Sequence, residues 1–386
     1  MKVSYATTFD LRNSGGWPKR HLGLYGAGAR IIQVLKQESI EVECLGIIER
    51  KRSPITRLKW LFYHHLYKKD FYSWADPIVS RHYAHQIEAQ LASSNADILL
   101  CLENAIPLAM VRPDRPMVLW TDTTLGSLID FYPYLSNLCA ETKNNLLRME
   151  KRVLERCSLL VVNSDWAARK AQELYGISQS KVEVIPRVST QTQHLSESDI
   201  EMVIEQRKGP VCRLLFMGVE WHRKGGDVAF GVAQALTERG IETELHVVGC
   251  MPPVDLPDFV KVHGFVDRRT LEGKAQIDRL FRETHFLLYP TKADALGMVM
   301  SEAGAYGVPT LATQVGGISS LVKSHMTGET FSVDSDPSDY CRFVIPYITD
   351  MNRYQSLARS TVDYYRNYAS WPAVGRKAQA VLSRLL

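Results

Sequence analysis

The stretch YPTKADALGMVMSEAGAYGVPTLATQVGGISSLVKSHMTG, Tyr289–Gly328, decides the fold. It opens as a loop with Pro290, Thr291 and Asp294 and turns helical from about Gly297 to Tyr306. Gly307 and Pro309 close that helix, as a glycine and a proline just past a last turn do. An apolar, strand-like Thr310–Thr313 follows, and then a glycine pair, Gly316–Gly317. Acids flank the loop-to-helix junction: Asp294 lies before the helix and Glu302 on it. The first helical turn leaves backbone N–H groups unpaired at the positive end of the helix dipole. Gly297–Met298 is therefore a seat for a phosphate, and the two carboxylates beside it are acceptors for sugar hydroxyls. The competing reading is a plain βαβ crossover with two solvated acids.

Outward from this stretch, the whole chain bounds the answer. Its 386 residues suit two domains rather than one core. At 45% hydrophobic and 23% charged it is globular, and a net charge of +4 does not by itself indicate nucleic acid. Seven cysteines (Cys44, Cys101, Cys139, Cys157, Cys212, Cys250 and Cys341) are scattered, with no CxxC and no Cys/His cluster. That usage fits reduced thiols in a cytosolic protein and argues against structural zinc. No run is long and apolar enough to span a bilayer, and the N-terminus reads as a strand rather than a signal peptide.

In the first half, Lys2–Phe9 alternates like an opening strand. Ser14-Gly15-Gly16-Trp17-Pro18 then leads to a helix at about Ala27–Gln37, the start of a nucleotide-binding type of βα unit. Gly15 and Gly16 are a candidate ligand loop or a plain turn. Cys44–Ile48, Ile98–Leu102, Met117–Thr121 and Leu159–Asn163 read as strands between helical stretches, the pattern of a parallel sheet. Asp122 stands at a carboxyl strand end, where open α/β sheets bind ligands. It could hold sugar hydroxyls, act as a base toward an acceptor, or cap a turn. The segment Arg50–Trp74 interleaves lysines and arginines with tryptophans, tyrosines and phenylalanines and has no acid before Asp70. Such a segment suits the headgroup plane of an anionic membrane, or stacking on nucleic acid, or a solvated helix with its rings in the core.

In the second half, Gln191–Pro210 reads as a polar linker, after which the βα logic restarts. Cys212–Gly218 is a strand, Val219–Gly226 a turn containing Arg223 and Lys224, and Asp227–Glu238 a helix. A strand, a basic turn and a helix start make an anion site. Glu244–Gly249, Val260–Phe265 and His285–Tyr289 continue the strands, and Leu271–Thr284 is a helix. The end, Tyr354–Leu386, is helical with a break at Trp371–Pro372.

Asp294-x7-Glu302, followed by Ala303-Gly304-Ala305-Tyr306-Gly307-Val308-Pro309 and Gly316-Gly317-Ile318, resembles the signature of the retaining GT-B glycosyltransferases of family four, the glycosyl transferases group 1. Asp294 stands where relatives usually carry Glu, Ser320 where they carry a further Glu, Val219 where they carry Arg, and Arg187–Val188 where they carry Asn-Gly. The resemblance implies two Rossmann-like α/β domains with parallel sheets facing across a cleft. Residues 1–190 would form the acceptor domain, with a C-terminal helix 367–386 packing back on it, 191–210 the linker and 211–366 the donor domain. It implies retaining transfer of a hexose from a nucleotide diphosphate sugar, a UDP-sugar before GDP-mannose, to a glycan or a lipid-linked sugar. Lys224 would grip the diphosphate, with Arg223 in place of the cation missing at Val219. Glu302 would bind the ribose and Asp294 the donor sugar, and Gly15–Gly16 would lie against donor or acceptor. No metal or other cofactor is expected. For Arg50–Trp74 the resemblance favours a membrane over nucleic acid, and the expected location is cytoplasmic, with contact at the inner face of the membrane. A nucleotide-sugar epimerase of the same fold, a sugar phosphorylase and a non-catalytic nucleotide-sugar binder remain the alternatives.

Overall fold

The computed structural model describes residues 1–9, 22–51, 53–192, 195–253 and 256–386, without the side chains of 22–25. The chain divides into two compact units, Met1–Thr190 with Val374–Leu386, and Gln191–Ala373.

In the first unit the strands are β1 (Lys2–Ala6), β2 (Glu41–Cys44), β3 (Ile98–Cys101), β4 (Met117–Trp120), β5 (Leu159–Val162) and β6 (Val182–Val184). They form one parallel sheet in the order β2-β1-β3-β4-β5-β6. Strands β3, β4 and β5 are buried along their whole length, which is why they read as unbroken apolar runs rather than alternating ones. Their neighbours in the core come from helices Pro77–Leu91 and Ala140–Arg156, through Val79, Tyr83, Ile87, Leu146, Met149 and Val153. The second strand lies at Glu41–Cys44 and not at Cys44–Ile48, because Lys2 pairs in register with Glu41. Leu45 and Ile48 are buried beyond its end.

The second unit repeats the plan with β7 (Cys212–Met217), β8 (Thr243–Val248), β9 (Val260–Gly264), β10 (Phe286–Tyr289), β11 (Thr310–Thr313) and β12 (Gly328–Phe331), in the order β12-β11-β10-β7-β8-β9. All five pairings are parallel. Helices cross between them at Gly226–Glu238, Leu271–Glu283 and Val299–Ala305.

Residues 191–210 are not an open linker. They contain a helix, Glu197–Gln206, started by a reciprocal capping box between Ser196 and Asp199. Its polar first turn masks an apolar face, Ile200, Val203 and Ile204, which is buried in the second unit. Arg207 then enters that core, where its guanidinium donates to the carbonyls of Phe281, Arg282, Tyr306 and Gly307 and to the Tyr354 hydroxyl. At the other end of the chain, helices Met351–Tyr368 and Trp371–Ser383 are separated at Ala369–Ser370, not at Trp371–Pro372, which form the first turn of the second helix, where a proline is tolerated. Residues 374–386 count with the first unit, where Gly375 lies against Val34 and Glu38 and Arg384 pairs with Glu183.

Candidate active site

The carboxyl end of β7 carries a one-turn helix, Trp221–Lys224, which ends at Gly225. Gly225 has φ +80°, and a Cβ there would overlap the Pro290 carbonyl. Glycine is required on both counts, a left-handed backbone and a close approach. The contact brings the basic turn against the segment that leaves β10. Lys292 N donates to Arg223 O at 2.8 Å, and Thr291 Oγ1 donates to the same carbonyl at 3.1 Å.

At that junction Lys224 Nζ pairs with Asp294 Oδ2, and the Tyr289 hydroxyl bonds to both. The ammonium also lies 4.7 Å from the centre of the Tyr289 ring. Burial penalises both charges of the pair. Against that penalty, Lys224 and Tyr289 hold the Asp294 carboxyl below its ordinary value. Burial in turn draws the Lys224 ammonium below its own ordinary value. Gly297, with φ +83°, turns the chain under this cluster, and a Cβ there would come 2.7 Å from the Tyr289 ring. Met298 then serves as N-cap of the short helix Val299–Ala305 without a side-chain cap.

Glu302 is buried on that helix, 8% exposed at the side chain, and its Oε2 pairs with Arg268 Nη1 at 2.7 Å. Arg268 Nη2 reaches Met217 Sδ at 3.2 Å. The lysine cluster meets the same strand end, because a Cβ on Gly218 would sit 2.8 Å from Lys224 Cγ. Lys224, Asp294, Glu302 and Arg268 thus gather around the carboxyl end of β7, where an open α/β sheet binds ligands. Beside Glu302 and Arg268 a depression is lined by Lys274, Asp278 and Tyr306.

Arg223 is placed differently from the expectation. Its Nε and Nη2 donate to Glu220 Oε1 at 3.0 and 2.6 Å, and Nη1 donates to Ala293 O at 2.8 Å. The residue braces the 291–294 loop, because a planar guanidinium finds a local carboxylate and a carbonyl in matching geometry. Asp122 belongs to the first unit. Its Oδ1 accepts from Arg187 Nη1 at 2.9 Å and from Asn163 Nδ2 at 3.1 Å. Arg187 is buried, and its Nε and Nη2 have no hydrogen-bond partner among the described residues. Gly15 and Gly16 lie outside the described residues.

Tyr289, Arg268 and Arg187 were not singled out from the sequence as site residues. Tyr289 had a signal, being the one residue with a polar group in an otherwise apolar strand, Phe286–Tyr289. Arg187 had one as well, the cation at the carboxyl end of β6 in Ile-Pro-Arg. Arg268 had none beyond its position in the loop after β9. Among the described residues no group of three or more His, Cys, Asp or Glu is placed to hold a metal ion, and no helix is long and apolar enough to cross a membrane.

Residues 212–350 match the family model described as glycosyl transferases group 1. The D-inositol 3-phosphate glycosyltransferase of Nocardiopsis dassonvillei is 27% identical over 217 residues, 50% of this chain and 48% of that protein. The phosphatidylinositol N-acetylglucosaminyltransferase gpi3 subunit of Schizosaccharomyces pombe is 24% identical over 165 residues, 42% of this chain and 36% of that one. The chain thus spans about half the length or less of these two relatives. Among solved structures, Anabaena HepE in complex with UDP aligns with a TM-score of 0.61 at 16% identity over 100% of both chains. WaaG, a glycosyltransferase involved in lipopolysaccharide biosynthesis, aligns with 0.62 at 15% identity over 99% of both. With two six-stranded parallel sheets, these likenesses make the fold GT-B.

Proposed function

We propose that this chain, whose residues 212–350 match the model of the glycosyl transferases group 1 family, transfers a hexose from a nucleotide diphosphate sugar to a hydroxyl acceptor with retained anomeric configuration. The observation that carries this reading is the meeting of Lys224, Asp294 and Tyr289 with Glu302 at one strand end. The hard step of such a transfer is departure of a charged diphosphate from an oxocarbenium-like carbon. Lys224 and the uncapped backbone at Gly297–Met298 stabilise that charge, the preorganised electrostatics that usually dominate such catalysis. Glu302 accepts from ribose hydroxyls and Asp294 from the donor sugar, which fixes the ring against the acceptor. The bond between the anomeric carbon and the phosphate oxygen breaks, and the bond to the acceptor oxygen forms on the same face. The acceptor proton passes to the leaving phosphate. Arg223 contributes by bracing the loop that carries Asp294, and Asp122 orients an acceptor in the first unit. A UDP-sugar is the donor we favour, which accords with the UDP bound by HepE.

Binding of UDP, GDP, ADP and their sugar conjugates to the purified protein, followed by transfer to added acceptors, tests this. Tight binding of one conjugate with acceptor-dependent turnover supports a transferase. Turnover of the bound donor without any acceptor, giving an isomeric sugar, would favour an epimerase. No binding to any of them would sink the donor site altogether.

A second reading concerns location. The helix Pro54–Leu66 buries only Thr56 and exposes Ile55, Leu58, Phe62 and Leu66 at helical spacing. Trp60, Leu61 and Tyr67 are exposed beside them, and so are Arg57, Lys68 and Lys69. Rings and aliphatic side chains outward among cations, with no neighbouring acid on the helix, suit the headgroup plane of an anionic leaflet. Lys59 is turned the other way, onto Asp76 and Glu141, and so ties the helix to its unit. We propose contact with an anionic membrane through this helix.

A further inference from the structure

We infer that Arg268 is the second cation of the donor site, holding Glu302 through Nη1 while giving Nη2 to a phosphate oxygen of the nucleoside diphosphate. This rests on the donor reading above and adds to it a residue that recognises phosphate. A nucleoside diphosphate brings at least two negative charges, and the two cations of the basic turn after β7 are already engaged. Lys224 is matched by Asp294, and Arg223 is held by Glu220 and Ala293 O. The turn after β7 offers no further cation, since Val219 stands there, 66% exposed. Arg268 reaches the same strand end from the loop after β9, and Met217 Sδ lies 3.2 Å from its Nη2.

That sulfur is the informative partner. A thioether is a weak acceptor, so an N–H directed at it loses little when a phosphate oxygen takes its place, and a charge-assisted bond to an oxyanion is far stronger. The guanidinium is a flat fork of five donors, able to serve two acceptors in one plane without giving up either. Glu302 therefore need not release Arg268 when the ribose arrives. The 2.7 Å bond to Nη1 keeps the carboxylate aimed while Nη2 turns to the phosphate. One residue then links the ribose-binding carboxylate to the diphosphate. Lysine in its place would supply charge without the fork.

The test is calorimetric titration of full-length wild type, Arg268→Met and Arg268→Lys. The ligands are whichever of UDP, GDP and ADP the wild type binds best, and the matching nucleoside, which has no phosphate. Arg268→Met is expected to weaken the diphosphate by about tenfold or more and the nucleoside by less than about threefold. Arg268→Lys is expected to lie between wild type and Arg268→Met for the diphosphate, and it carries the comparison should Arg268→Met melt early. Unchanged diphosphate affinity in both variants overturns the inference while leaving the donor site standing. So does an equal loss for diphosphate and nucleoside, which would reduce Arg268 to a prop for Glu302. A wild type that binds no nucleoside diphosphate overturns the donor reading and this inference together.

Discussion

Lys224 Nζ and Asp294 Oδ2 form an ion pair whose two side chains each keep 13% of their surface exposed. The residues are 70 positions apart and stand at the ends of neighbouring strands, β7 and β10. Mostly buried, the pair is well shielded from solvent screening, and each charge depends on the other.

Lys224→Ala should lower turnover by about 100-fold or more, because the cation proposed to face the leaving group is lost. It should also lower stability, since Asp294 is left as a mostly buried charge with Tyr289 and the Leu296 N–H as its remaining partners among the described residues. Asp294→Ala and the double variant complete a cycle, and the coupling read from denaturant melts should be about 0.5–3 kcal/mol. Full activity in Lys224→Ala would remove Lys224 from the mechanism.

Gly225→Ala should be more harmful than its size suggests. The left-handed backbone costs a non-glycine residue about 1–2 kcal/mol, and overlap with Pro290 O adds strain of about 1–3 kcal/mol. Relief of that overlap must move the basic turn from the 290–294 loop, so donor binding should fall along with the melting temperature. An alanine variant with unchanged donor affinity would mean that this close approach does not position Lys224.

Glu150 provides a pH signature in the first unit. Its carboxylate accepts from Leu125 N at 2.6 Å, Gly126 N at 2.9 Å and the Tyr175 hydroxyl at 2.5 Å. Burial nevertheless outweighs these donors and pushes its pKa from 4.5 up to about 7. The folded state therefore binds the proton more tightly than the unfolded state. The resulting stability is complete below about pH 4.5 and is lost as pH rises through about 7. The shift corresponds to about 3 kcal/mol. Glu150→Gln lacks the titration, so its stability relative to wild type should rise by about that amount between pH 4.5 and 8. Urea melts of both proteins across this range measure it, and parallel curves would refute the assignment.

The exposed helix Pro54–Leu66 predicts binding to vesicles that contain phosphatidylglycerol and little to vesicles of phosphatidylcholine alone. Reversing Lys68 and Lys69 to Glu should weaken that binding by about tenfold or more, at about 1 kcal/mol per basic group. Phe62→Ser should weaken it without altering the dependence on anionic lipid. A wild type that ignores both vesicle types in a sedimentation assay would end the membrane reading.

The sequence by itself determined the βα order of both units and the place of the strand-end loops. Apolar runs such as Ile98–Cys101 and Thr310–Thr313 are buried throughout, and the glycines and prolines that end elements act through local backbone energetics. Lys224, Asp294 and Glu302 could be placed beside such turns from the sequence for the same reason, and their roles rest on the function proposed above. Tertiary structure alone decided what those groups face. Local patterns carry no information about partners 34, 70 or 74 residues away, as Glu302 is from Arg268, Asp294 from Lys224, and Phe281 from Arg207. Only packing settled that Arg223, beside its local partner Glu220, would reach Ala293 O and become a brace. Only packing revealed that residues 197–206 had a core to join, since an amphipathic face under a polar capping box stays ambiguous until something covers it.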